Sequence, residues 1–260
     1  SSSDPSASYG GGNTTELDPL IKSNVTSWRN INVSNAFNVG LKMNDDNNRY
    51  GFSSNADTHM MKNSEWGVVA YLSQSKYGKL GNTNFSGSNK EIYINKSNSY
   101  ITGCSYGMPS DGVANYDCHY TYDKDISGTG ASTTGNIYGI YDMSGGAWEY
   151  VMGNYNNIIG NSGFTEPLTL DLKYYNKYIS DNIVTACNGN ECLSHGLSET
   201  NGWYNDLNVM VGDTKPWLIR SGSLAASGTN AGIFYFTATT EFTGEGNSNG
   251  SFRIVITANT

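Results

Sequence analysis

Asp142 and Glu149 bracket a short glycine-centred turn, Asp142-Met143-Ser144-Gly145-Gly146-Ala147-Trp148-Glu149. Glycine reaches backbone conformations closed to other residues, so Gly145-Gly146 can turn sharply and present its carbonyls to one point. A carboxylate at each end can close on that point, and an oxygen-rich turn of this kind suits a hard cation such as calcium. The alternative is a hairpin anchored in a core by Trp148. Other chemistry is sparse. Cys187, Cys192 and His195 could in principle hold zinc or copper, but the spacing matches no familiar finger and a fourth ligand is missing. A lone surface histidine beside a disulfide is the simpler reading. The histidines His59, His119 and His195 are far apart, outside any His-x-x-x-His spacing. There is no Gly-x-Ser-x-Gly elbow and no phosphate loop. A carboxylate pair for glycoside hydrolysis depends on a spatial separation that sequence does not display.

The elements that must position the turn follow from periodicity. Ile137 to Tyr141 alternates as a short strand leading into it. A helix is expected from Ser34 to Met43, with Ser34 or Asn35 as N-cap and Ala36, Phe37, Gly40 and Leu41 on one face. A second is expected to be capped by Asn63 or Ser64, with Trp66, Val69, Ala70 and Ser73 on the core side. Val68 and Leu72 widen its stripe, and Gly78 ends it. Glu91 to Asn95 reads as an isolated short strand in a turn-rich stretch from Gly78 to Thr134. Leu170 to Ile179 reads as a further helix. Strands are expected at Trp217 to Ile219, Gly232 to Thr237 and Phe252 to Thr257. Residues 1–22 read as a flexible lead of small polar residues, and residues 23–260 as a single domain.

Composition narrows the setting. Charged residues are only 15% while Gly numbers 31, which describes a loop-rich, neutral-polar surface. The 19 Tyr and 5 Trp still supply a core. A net charge of -8 argues against nucleic acid, which needs clustered Lys and Arg. No apolar run approaches a membrane helix and no signal peptide is visible, so any leader or anchor is expected to have been removed before Ser1 or never included. Of the three ways to pair the cysteines, Cys104 with Cys118 and Cys187 with Cys192 are the simplest, each closing a short loop. Such a bridge around a loop near 15 residues contributes ~3 kcal/mol and implies an oxidising compartment, hence a secreted or surface protein. The alternative is four reduced thiols in a cytosolic chain.

The run Gly139-Ile140-Tyr141-Asp142-Met143-Ser144-Gly145-Gly146-Ala147-Trp148-Glu149-Tyr150 resembles the Gly-Leu-Tyr-Asp-Met-x-Gly-Asn-x-Trp-Glu-Trp signature of formylglycine-generating-enzyme-like domains, a branch of the C-type-lectin fold. Val25-Thr26-Ser27-Trp28, Met61 to Trp66, Ile219-Arg220-Ser221-Gly222-Ser223 and Ser251-Phe252-Arg253 resemble further landmarks in the family's order. The resemblance implies an α+β fold with two early helices, short strands and much irregular structure. It implies that the side chains of Asp142 and Glu149 and the carbonyls of Gly145 and Ala147 hold a structural calcium ion. One departure concerns the family's first strand, which pairs beside the closing strand. Nothing before Thr26 reads that way, so Phe252 to Ile256 is expected to find its partner elsewhere.

The family's oxidases hold copper on two cysteines after the Arg-Gly-Gly-Ser motif. Cys187 and Cys192 precede Arg220 and none follows it, so the copper mechanism does not carry over. The resemblance therefore implies a catalytically inactive, extracellular ligand-binding or adhesion domain, at a cell surface, pilus tip or phage fibre. Alternatives are a metal-dependent enzyme that retains the fold and a structural subunit of an extracellular filament. Residues 220–253 resemble the variable segment of proteins diversified by retroelements, a fixed frame with loosely determined positions between anchors. The expected contact residues for a protein or glycan ligand are Trp203, Tyr204, Leu224, Tyr235, Thr237, Glu241 and Phe242, aromatics for area and short polar groups for adaptability.

Overall fold

The computed structural model describes residues 3, 4, 6–81, 91–105, 120–179, 203–222 and 230–257. Helix α1 spans Val33–Leu41; Asn32, in extended backbone, caps it by accepting the Asn35 N–H at 2.8 Å. The helix thus starts one residue before the Ser34 expected from sequence, capped by Asn32 and not by Ser34 or Asn35, and a single 3₁₀ turn, Lys42–Asn44, continues it. Strand β1 (Asp57–Met60) follows, then helix α2 (Asn63–Ser73), whose Glu65 carboxylate reaches back to the Lys62 N–H at 2.8 Å. Asn63, Trp66, Ala70 and Ser73 are buried as the spacing requires, and Val69 is partly so. Val68 and Leu72 are not part of that stripe: both face solvent.

Short strands β2 (Cys104–Ser105) and β3 (Tyr120–Thr121) form an antiparallel pair. The centre of the molecule is β4 (Trp148–Tyr155). One edge pairs antiparallel with β6 (Trp217–Gly222), which pairs onward with β7 (Ala231–Thr237). The other edge takes two parallel strands in succession, β8 (Gly250–Phe252) at Trp148–Tyr150 and β5 (Asn176–Tyr178) at Gly153–Tyr155. Finally β9 (Ile254–Thr257) pairs antiparallel with β1. The closing residues thus find partners inside the chain, on β4 and on β1.

Both faces of the central sheet are covered. Tyr150, Met152, Trp217 and Ile219 turn to a core built with Trp28, Phe37, Phe242 and Phe252. Val151, Leu218, Ile233 and Phe234 turn to a second core around Trp66 and Tyr178. Three expected elements differ. Residues 137–141 are turns and bends, because no strand lies beside them to pair their alternating side chains. Residues 91–95 contribute only the Asn95–Gly145 bridge. The segment 170–179 holds strand β5 where a helix was expected, recruited by the free parallel edge of β4.

The lead is tied down. The Arg29 N–H donates to the Tyr9 carbonyl (2.7 Å), and the Trp28 indole N–H donates to the Gly12 carbonyl (2.7 Å). The Arg29 guanidinium lies 3.8 Å from the Tyr100 ring centroid and 5.4 Å from that of Tyr9. Among the described residues no helix is long and apolar enough to cross a membrane.

Candidate functional site

The signature turn is built as its residues require. Asp142, Gly145 and Gly146 all adopt left-handed backbone, with φ of 60°, 72° and 72°. A Cβ on Gly145 would lie 2.4 Å from the Asn95 carbonyl oxygen, so glycine is needed for fit as well as for φ. The Gly146 N–H donates to that carbonyl at 2.7 Å, which docks the turn on the segment before β2.

Protein donors meet the Asp142 and Glu149 carboxylates and the Asp142 and Gly145 carbonyls. The Asp142 carboxylate accepts the Gly103 N–H at 2.9 Å and the Asn95 side-chain amide at 2.8 Å. The Ser221 hydroxyl donates to the Gly145 carbonyl at 2.6 Å and to that of Asp142 at 2.9 Å. Arg253 grips Glu149 with two bonds, Nε to Oε2 at 2.9 Å and Nη2 to Oε1 at 2.7 Å. The same Nη2 reaches the Asp142 carbonyl at 3.2 Å. Burial pushes the Glu149 carboxyl up, against the opposing pull of Arg253. Asp142, Ala147 and Glu149 do border one cavity, as a shared site demands. Their oxygens, however, do not fit a calcium ion in this arrangement, because both oxygens of Glu149 are committed to Arg253. The guanidinium is the cation of the turn.

A second constellation lies where β7 meets α2. Trp203 and Tyr204 sit in a 3₁₀ turn, Trp203–Asn205, in which Tyr204 and Asn205 have φ of 56° and 63°. A left-handed aromatic residue is strained unless its surroundings hold it. Here Tyr204 stacks on Phe234 (centroids 6.0 Å, planes 15° apart), and its hydroxyl donates to the Gln74 side chain at 2.6 Å. Trp203 meets Phe234 edge-on at 5.1 Å and Tyr71 at 5.9 Å. The two rings remain 41% and 38% exposed. Val68, Leu72 and Leu207 are exposed too, so the helix side of this region adds apolar surface.

Beneath the platform lies a buried polar network. The Asp206 carboxylate accepts the Phe234 N–H at 3.0 Å and fits only because residue 232 is glycine: a Cβ there would stand 2.2 Å from Asp206 Oδ1. Burial, with Glu91's charge added, pushes the Asp206 carboxyl up to about 9, so it is protonated at neutral pH. Arg220, fully buried, donates from Nε to Asn63 Oδ1 at 2.8 Å and lies 4.9 Å from the Phe236 ring; burial lowers its pKa.

The remaining expected contact residues divide. Glu241 is exposed. Tyr235 and Thr237 are buried on β7, and Phe242 packs edge-on against Trp148 at 4.6 Å in the core. These three are corrections: with both sheet faces covered, alternation on β7 exposes neither Tyr235 nor Thr237, and Phe242, beyond β7, is taken up by the core. Leu224 lies outside the described residues, as do Cys118, Cys187 and Cys192; Cys104 is buried on β2. Sequence reasoning missed Tyr71, Gln74 and Asp206. The signal available was the second apolar stripe of α2, Val68 and Leu72 flanking Tyr71. It also passed over His59, whose ring nitrogens lie 2.8 Å from Asp57 and 3.0 Å from Glu65. Among the described residues no three His, Cys, Asp or Glu side chains are grouped to hold a metal. Compared with models of known protein families and with curated proteins, the chain matches none.

Proposed function

We propose that this chain is a non-catalytic, extracellular ligand-binding domain with the C-type-lectin-like fold of the formylglycine-generating-enzyme branch, displayed by a surface structure such as a pilus or phage fibre. The observation that carries this is the pair Trp203 and Tyr204, half-exposed rings held in place by Phe234, Tyr71 and Gln74. Rigid aromatics contribute contact area at little entropic cost, which favours recognition by stacking over ion pairing. A left-handed tyrosine held by its neighbours is strain kept at a place where orientation matters. The ligand on this reading is a protein or glycan. The segment proposed to be diversified, residues 220–253, includes the end of β6 and all of β7 and β8. The test is a glycan array and a panel of extracellular proteins probed with wild type and with Trp203→Ala. A ligand retained by wild type and lost by the variant, with melting temperature unchanged, supports the platform. Turnover of a bound compound would overturn the non-catalytic reading.

A further inference from the structure

Among the described residues, strand β9 is paired on one edge only. The Met61 N–H donates to the Arg253 carbonyl at 2.8 Å, and this sets the phase of the ladder. In an antiparallel pair alternate residues turn their backbone groups to the partner. Val255 and Thr257 therefore face β1, opposite His59 and Asp57, while Ile254 and Ile256 turn their N–H and C=O groups the other way. Among the described residues nothing bonds to them there. Exposed apolar edges are ordinarily covered or charged. The sequence of β9, Ile-Val-Ile-Thr, does neither.

A cavity of about 330 Å³ adjoins this edge, lined by Ile254 and Ile256 and by Ile137, Ile140, Ile21 and Lys22. The three isoleucines outside β9 are 48%, 37% and 72% exposed in the order just named. Of the charged groups lining it, Arg253 and Glu149 answer each other and Asp142 is bonded to Gly103 and Asn95. Lys22 is exposed, and among the described residues no carboxylate stands within ion-pair distance of it.

We infer that this edge receives an extended segment of a partner polypeptide as an added strand. Its backbone bonds to Ile254 and Ile256, its alternate apolar side chains enter the cavity, and a carboxylate meets Lys22. Each requirement comes from a different feature. A small apolar molecule would leave the backbone groups unanswered. A second copy pairing β9 to β9 would answer them, but residues 254–257 bring no carboxylate to Lys22. Strand addition with side-chain pockets is an established mode of peptide recognition. This surface is separate from the Trp203–Tyr204 platform.

The test uses a synthetic ten-residue peptide alternating Ile or Val with Thr and ending in two Asp, titrated into the whole protein by calorimetry. The expected result is binding that falls about tenfold or more when alternate peptide amides are N-methylated, since backbone bonds supply the affinity. Ile256→Pro removes the outward N–H, at a position where an edge strand tolerates proline, and trims a side chain lining the cavity, so it should weaken binding at least comparably. Lys22→Glu, an exposed change that keeps the fold, should shift preference to the same peptide ending in Lys. Trp203→Ala should leave peptide binding unchanged, so failure here and failure of the platform are distinguishable. Absence of binding, or equal binding of the N-methylated peptide, overturns the inference. Self-association of the wild type that Ile256→Pro abolishes also overturns it, in favour of a second copy. If Ile256→Pro lowers the melting temperature, the N-methylated peptide and Lys22→Glu decide.

Discussion

Arg253 and Glu149 face each other through two parallel hydrogen bonds of 2.9 and 2.7 Å, in a turn whose sequence suggests calcium. Fork-to-fork pairing satisfies both oxygens of the carboxylate at once. Its charge is thereby compensated inside the protein.

Breaking this pair from one side strands a charge. Glu149→Ala or Arg253→Ala should each cost about 3 kcal/mol in denaturant melts, the low end of the range for buried pairs because Arg253 keeps some exposure. Arg253→Ala also opens the position among Asp142, Glu149 and the Gly145 and Ala147 carbonyls. Millimolar calcium should then raise the melting temperature of that variant, while a chelator leaves wild type unchanged. A wild type that loses stability on chelation would put calcium in the native site.

His59 should make stability depend on pH. Burial works against its protonation most strongly, but bonds to Glu65 and Asp57, with their charges, outweigh it and raise the pKa above 6.5. Glu65 is lowered below 4.5: burial opposes this, and the His59 bond, the Lys62 N–H and both cations prevail. A raised histidine contributes fully below about pH 6.5 and loses its contribution as pH rises through the folded-state value. A lowered glutamate contributes above about 4.5 and loses it as pH falls through its own depressed value. The clasp should therefore be strongest between those limits. Melting curves from pH 4 to 9 should show a decline on the alkaline side that His59→Gln lessens, leaving the part due to Asp206.

Asp206 runs in the other direction from an ordinary carboxylate. Its folded pKa, pushed up to about 9, stands above the unfolded value of 3.8, so stability declines as pH rises between the two and levels off beyond. Asp206→Asn keeps an acceptor for the Phe234 N–H and should flatten that decline, raising the melting temperature at pH 8. Gly232→Ala should be severe, because its φ of 136° and a 2.2 Å approach to Asp206 leave no room for a methyl group. Thermal melts of the two variants check both expectations.

For the platform, Tyr204→Ala and Trp203→Ala should each weaken ligand binding by about 1–2 kcal/mol. Glu241→Ala, at an exposed position without a ring, should change it by less. Binding curves run beside thermal melts separate lost contact from lost folding.

The sequence made the signature turn and the strands at 217–222 and 231–237 legible, because glycine pairs and runs of apolar residues are local signals. It could not say which side chains of β7 emerge. Tyr235 and Thr237 look like surface residues of a one-sided sheet, and burial of both faces depends on where α1, α2 and the loops fall. Helix α2 misled for a similar reason: its two apolar stripes, one through Trp66 and one through Val68 and Leu72, sum to a broad face in sequence and separate only in space. Arg253 and Glu149 stand 104 positions apart, and no local pattern marks them as partners.

The pairing of β9 with β1 has a consequence for how this protein comes into being. Thr257 and Asp57 are 200 positions apart and meet directly, and β8, near the end of the chain, completes one edge of β4. A nascent chain therefore lacks both strands until residues 250–257 have been synthesised, and until then its central strand waits with part of one edge unpaired. Contacts this distant in sequence make folding slow, and the waiting chain is exposed to misassembly. Removing residues 250–257, and with them β8 and β9, should accordingly abolish the native fold altogether.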